Sequence, residues 1–207
     1  MRHYIWLNPV VMAMYGEDQL RRAMERLGYV IVFCEQDHIT NVKKQYRTAV
    51  FANGTCVLDM RCPAAADYVK ECYADDASDE IVFPEIEPIL IQASRELART
   101  LTSAEDADLT VITPCEALKQ QGMGTGLDHT KFLTWKEFAA EHELKLQRKD
   151  LGISPIPPGF FAEYGAEASC LSSRAEIDQF FQKKTYRQKR IAEMLICNQG
   201  CHNGNGV

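Results

Sequence analysis

Three stretches of this chain read as buried strands, and each runs directly into a cysteine. Thr55 to Met60 leads to Cys62-Pro63, Leu109 to Thr113 leads to Pro114-Cys115, and Ile191 to Ile196 leads to Cys197-Asn198-Gln199-Gly200-Cys201. Helical segments lie between the strands, which predicts an α/β architecture with parallel pairing. In such sheets ligands bind beyond the carboxyl ends of the strands. The pattern therefore predicts three strand ends converging on one point and delivering four thiolates there.

The remaining chain fits that architecture. Tyr4 to Leu7 reads as a first strand. Glu17 to Leu27 has helical periodicity and stops at Gly28, and Tyr29 to Phe33 is a short apolar run suited to a buried strand. Pro63 opens a helix through Tyr73, proline being favoured at the first helical position. Pro84 to Leu101 reads as a long amphipathic helix, and a short helix after Cys115 ends at Gly122. Thr134 with Glu137, and Ser173 with Glu176, have capping-box spacing; they predict helices to about Leu144 and through Phe181. Ser154 to Gly165 is rich in proline and glycine and reads as a loop or lobe boundary.

Charge narrows the function classes. A net charge of −6 over 207 residues argues against nucleic acid as the main partner. The basic run Lys183, Lys184, Arg187, Lys189 and Arg190 reads as a solvated helix face. No apolar stretch approaches the ~20 residues that span a bilayer, and Met1 to Leu7 is too short for a secretory signal. Both point to the cytoplasm, where the 8 cysteines are expected to be reduced. Eight is many for such a protein, so some are expected to bind something.

The ligand set expected from spacing is Cys62, Cys115, Cys197 and Cys201. Cubane iron–sulfur clusters are commonly held by four cysteine thiolates. Cys62 and Cys115 fall at helix N-termini, where free N–H groups and the dipole favour the thiolate. Gly200, Gly204 and Gly206 allow backbone N–H groups to approach the sulfurs of the last pair. Structural zinc is the main rival, although zinc sites usually show two close Cys or His pairs, and here there is one pair and two singletons. Cys34, Cys56, Cys72 and Cys170 read as core-packing cysteines. His202 reads as an outer neighbour of the site or as exposed. Gly122 to Gly126 follows a helix and reads as a turn, and Asp128 and His129 read as an exposed turn. There is no Walker loop, no Gly-x-Gly-x-x-Gly after a strand and no informative Ser/His/Asp pattern.

These motifs resemble the three loops that hold the active-site cluster in the catalytic domain of iron-only hydrogenases: Met60-Arg61-Cys62-Pro63, Thr113-Pro114-Cys115, and Glu193-Met194-Leu195-Ile196-Cys197-Asn198-Gln199-Gly200-Cys201 followed by Asn203-Gly204-Asn205-Gly206. The resemblance spans about residues 15 to 206, and the third loop is its most specific part. It implies a single two-lobed α/β domain over 1–207, with small parallel sheets flanked by helices and a 4Fe-4S cluster in the cleft. Approximate lobes would be 1–122 and 123–207. It also implies a redox partner protein or a larger iron–sulfur complex.

The chain departs from that family where the diiron unit is held and protonated. Arg61 stands where the family has an extra cysteine, Leu118 where it has a lysine, and Gln121 where it has a glutamate. The expectation is a 4Fe-4S redox or sensory protein without hydrogen turnover, lacking the diiron subcluster. Two alternatives stand beside it. One is a hydrogenase-type enzyme with a diiron cofactor docked on Cys201 and Glu193 transferring protons; there Glu193 otherwise reads as a surface or hinge carboxylate. The other is a structural zinc or partner-binding domain.

Overall fold

The computed structural model describes residues 2–77, 79–102 and 106–207. In chain order the strands are β1 (Arg2–Leu7), β2 (Tyr29–Ile31), β3 (Cys56–Leu58), β4 (Ile81–Val82), β5 (Ala107–Thr113), β6 (Thr130–Thr134), β7 (Ala168–Leu171) and β8 (Ile191–Met194). The α-helices are α1 (Pro9–Tyr15), α2 (Glu17–Arg26), α3 (His38–Ala52), α4 (Pro63–Ala77), α5 (Ile89–Leu101), α6 (Glu116–Met123), α7 (Trp135–Glu141) and α8 (Arg174–Gln182). The α/β expectation holds, with two small parallel sheets flanked by helices.

The chain forms two compact units that are interleaved in sequence. The first comprises Met1–Gln36, Leu90–Ile156 and Cys201–Val207; the second comprises Asp37–Ile89 and Pro157–Gly200. Sequential lobes 1–122 and 123–207 are a different division, whose boundary falls inside α6 of the first unit. Strand pairing explains the interleaving: β1 pairs with β5 and β3 with β8, each across a long stretch of sequence.

In the first unit the sheet order is β2-β1-β5-β6, all parallel. Alternate side chains point to opposite faces, and both faces are covered, as a parallel sheet requires. Ile5, Leu7, Ile112 and Leu133 pack with Val10, Met14, Leu20, Met24 and Phe138 from α1, α2 and α7. Leu109, Val111 and Phe132 pack on the other face with Ile91, Leu97 and Leu118 from α5 and α6. Asn8 starts α1: its Oδ1 accepts from Val10 N and Val11 N, and Pro9 occupies the first turn. The same side chain donates from Nδ2 to Ile112 O at 3.0 Å, tying the end of β1 to β5.

In the second unit the order is β4-β3-β8-β7, again all parallel. Leu58, Ala192 and Met194 meet Ala65, Val69, Ile177, Phe180 and Phe181 from α4 and α8. Val57 and Ile191 meet Val42, Tyr46 and Val50 of α3, together with Phe161.

The Thr134–Glu137 capping box is present in full. At α8 only half of one forms: Ser173 Oγ accepts from Glu176 N, while the Glu176 carboxylate accepts from Ser172 N, one residue earlier than a box requires. The helix expected from Pro84 begins at Ile89. Pro88 accounts for this, since proline disfavours helical backbone at the residue before it and lacks an N–H. Among the described residues no helix is long and apolar enough to cross a membrane.

Candidate thiolate site

In the second unit β3 and β8 are adjacent and parallel, so their carboxyl ends open at the same edge of the sheet. Cys62 follows β3 and Cys197 follows β8. The Cys62 carbonyl accepts from Ala65 N (3.1 Å) and Ala66 N (3.0 Å) as α4 starts. Its sulfur takes N–H groups from Ile196, in the turn after β8, and from Ala65.

Burial nevertheless raises the Cys62 thiol above its ordinary range, outweighing those two N–H groups. Burial also raises Cys197, and the neighbouring Cys62 charge adds to it. The helix start was expected to favour the thiolate at Cys62; against the protein's own groups desolvation wins. A cation bound at both sulfurs would reverse the balance, because a coordinating thiol is deprotonated outright.

Beside this pair lies a buried charge cluster. Arg61 Nη2 reaches Asp59 Oδ2 at 2.7 Å and Glu193 Oε1 at 2.9 Å, all three side chains being nearly inaccessible. The guanidinium lies 3.6 Å from the Phe160 ring centroid. The second Glu193 oxygen accepts from Gly159 N (2.7 Å) and Phe160 N (3.0 Å). Burial opposes the charge on Arg61, but the two carboxylates more than offset it and hold its pKa above the ordinary value. Glu193 is therefore a buried, fully engaged acceptor and not a surface or hinge carboxylate.

In the first unit Cys115 is the N-cap residue of α6. The segment Cys201–Val207 folds back onto this turn. Gly206 N donates to Pro114 O (3.1 Å), Gly206 O accepts from Lys136 N (3.0 Å), and Asn205 Oδ1 accepts from Glu116 N (3.0 Å). The approach excludes side chains. A Cβ on Gly204 would sit 2.4 Å from Pro114 O, and one on Gly206 would sit 3.0 Å from both Cys115 N and Cα. The two glycines thus allow the Cys201 turn to lie against the Cys115 turn.

His202 is buried here, not exposed. Its Nε2 lies 3.3 Å from Asn203 Nδ2, and its Nδ1 has no hydrogen-bond partner among the described residues.

The other sequence expectations divide. Cys56 is core, with burial pushing its thiol up to about 12. Cys72 and Cys170 are exposed, against the expectation of core packing. Cys170 lies on β7, at the edge of its sheet, where burial and then the neighbouring Glu193 carboxylate still push its thiol up to about 11. Cys34 is partly buried and pushed up to about 11, by burial and then by Glu96. The Cys34 sulfur and a Glu96 oxygen lie within 4.8 Å of one another, so these two offer a metal a pair of donors that sequence reading missed. Leu118 is core, Gln121 is exposed, and Lys119 pairs with Glu116 and Glu137.

The basic run is not one helix face. Arg187 pairs with Glu80, Lys189 donates to Ala166 O, and Arg190 donates to Val50 O, so these cations bind the unit's own carbonyl and carboxylate groups. His129 lies in an exposed turn at φ 51°. Asp59 and Asn205 were missed because their roles depend on partners distant in sequence. No protein-family model matches the chain, and no curated protein matches it.

Proposed function

We propose that the chain binds one 4Fe-4S cluster through Cys62, Cys115, Cys197 and Cys201 and acts as a redox or sensory protein without hydrogen turnover. The observation that carries this reading is that each unit draws two of the four cysteines to a built turn. In the second unit the thiols of Cys62 and Cys197 are close enough for one charge to raise the other. In the first unit two obligatory glycines press the Cys201 turn against Cys115. Only three residues separate Cys197 from Cys201, a span that reaches roughly 14 Å at most when extended.

The donor set fits the group. Four thiols, backbone N–H groups at Cys62 and a buried imidazole next to Cys201 are what an anionic iron–sulfur core accepts. Such a cluster supplies one-electron transfer when bound. The protein supplies desolvation, N–H groups aimed at sulfur, and turns that hold the ligands. Its electrons would be exchanged with a redox partner protein or a larger iron–sulfur complex, in a reducing compartment such as the cytoplasm.

Resemblance to iron-only hydrogenases points the same way, and the departures at Arg61, Leu118 and Gln121 argue against a diiron unit. The Glu193 carboxylate is taken up by Arg61, Gly159 and Phe160, which leaves it poorly placed to shuttle protons.

Anaerobic purification with iron, acid-labile sulfide and zinc analysis tests the reading. The expected result is a brown protein with about four irons and four sulfides per chain, giving a reversible one-electron spectroscopic change. A colourless protein with stoichiometric zinc overturns it in favour of a structural metal. Two further irons with carbonyl infrared bands overturn the absence of hydrogen turnover.

A further inference from the structure

His202 has a donor that no described residue receives. The imidazole is 8% exposed. Its Nε2 faces the Asn203 amide nitrogen at 3.3 Å, and an amide nitrogen can only donate. Nε2 therefore accepts, and the neutral ring carries its proton on Nδ1. That Nδ1 is buried with no partner among the described residues. A buried donor left unpaired is costly, and each such group in a folded protein calls for a reason. Here the residue is next in chain to Cys201, in the turn seated against Cys115.

We infer that His202 donates from Nδ1 to a sulfur of the iron–sulfur group held at Cys201, an assignment that rests on the cluster reading above. Sulfide and thiolate sulfurs of an anionic cluster are acceptors suited to this donor. Hydrogen bonds to cluster sulfurs tune the reduction potential. Because the reduced cluster carries one more negative charge, the donor stabilises it more than the oxidised form and raises the potential. His202 is thus a positioning and tuning residue and not a ligand.

The test is a potentiometric titration of anaerobically purified protein, followed by visible absorbance and EPR, in wild type, His202→Leu and His202→Asn. Asparagine keeps an N–H donor near the place of Nδ1. The expected result is full iron and sulfide in all three, a more negative midpoint in His202→Leu, and a return toward the wild-type midpoint in His202→Asn. An unchanged midpoint in His202→Leu with its cluster intact overturns the inference and leaves the cluster reading standing. Loss of the cluster in both variants, with wild type loaded, makes His202 a ligand or a structural residue and also overturns it. Wild type that holds no iron–sulfur cluster overturns both.

Discussion

Arg61 Nη2 stands 2.9 Å from Glu193 Oε1, joining the turn that carries Cys62 to the strand that leads to Cys197. With Asp59 these form a buried triad whose charges meet one another, backbone N–H groups and the Phe160 ring. Removing the cation alone strands two buried carboxylates, which costs about 3–5 kcal/mol. Arg61→Met is expected to lose that much in urea denaturation. The triple variant Asp59→Asn, Arg61→Met, Glu193→Gln is expected to recover a large part of it, because the loss comes from uncompensated charge. Equal losses in the single and triple variants would show that shape, and not charge balance, is what Arg61 provides.

The cysteines separate into two classes by a single measurement. Serine at Cys62, Cys115, Cys197 or Cys201 is expected to lower iron and sulfide per chain sharply. Serine at Cys72 or Cys170, both exposed, is expected to leave the content unchanged. Iron analysis of six anaerobically purified variants checks this. Full retention in any variant of the first class removes that residue from the ligand set.

Leu118 is part of the core with Ile91, Leu97, Val111 and Phe132. Placing a lysine there puts an unpaired ammonium among apolar groups, at a cost on the order of 3 kcal/mol or more. Leu118→Met keeps volume and polarity and is expected to cost under about 1.5 kcal/mol. Denaturant midpoints of the two variants provide the comparison. Leu118→Lys that is as stable as Leu118→Met would mean the position opens to solvent.

Glu137 links pH to stability in the first unit. Lys119, then the Thr134 N–H, hold its carboxyl down at about 2, against an ordinary 4.5. A carboxylate depressed in the folded state stabilises fully above its unfolded pKa. That contribution fades as pH falls from about 4.5 toward about 2. The side chain is 38% exposed, so solvent screens the pair and the effect is modest. Glu137→Gln is expected to flatten the stability profile in that window. Thr134→Ala, which removes the other half of the box, is expected to cost about 1 kcal/mol at neutral pH. Thermal melts between pH 3 and 7 report both.

Much of the architecture was legible from local signals. The strand that leads to each cysteine, the capping box at Thr134 and the proline at the start of α4 all depend on a few neighbouring residues. Part of what escaped notice was short or without contrast. β4 has two residues, and α1 is apolar nearly all round, so periodicity cannot mark it; the readable sign was Asn8 followed by Pro9. α3 carried a usable pattern in Val42, Tyr46 and Val50, which share one buried face. Cys62, Cys115 and Cys197 stood out because each follows a strand, and Cys201 because it lies four positions after Cys197. The burial of Arg61 was not, since its partner Glu193 lies 132 positions away and only strand pairing brings them together. Interleaving was hidden for the same reason: it is a property of the pairing of β1 with β5 and β3 with β8, and no stretch of composition announces it.

The interleaving also sets an order of assembly. Cys201–Val207 belongs to the first unit yet leaves the ribosome after every residue of the second. Until it emerges, Pro114 O and Glu116 N lack the partners that Gly206 and Asn205 bring, and Cys115 waits without its companion turn. The pair Cys62 and Cys197 is therefore translated whole before the pair Cys115 and Cys201.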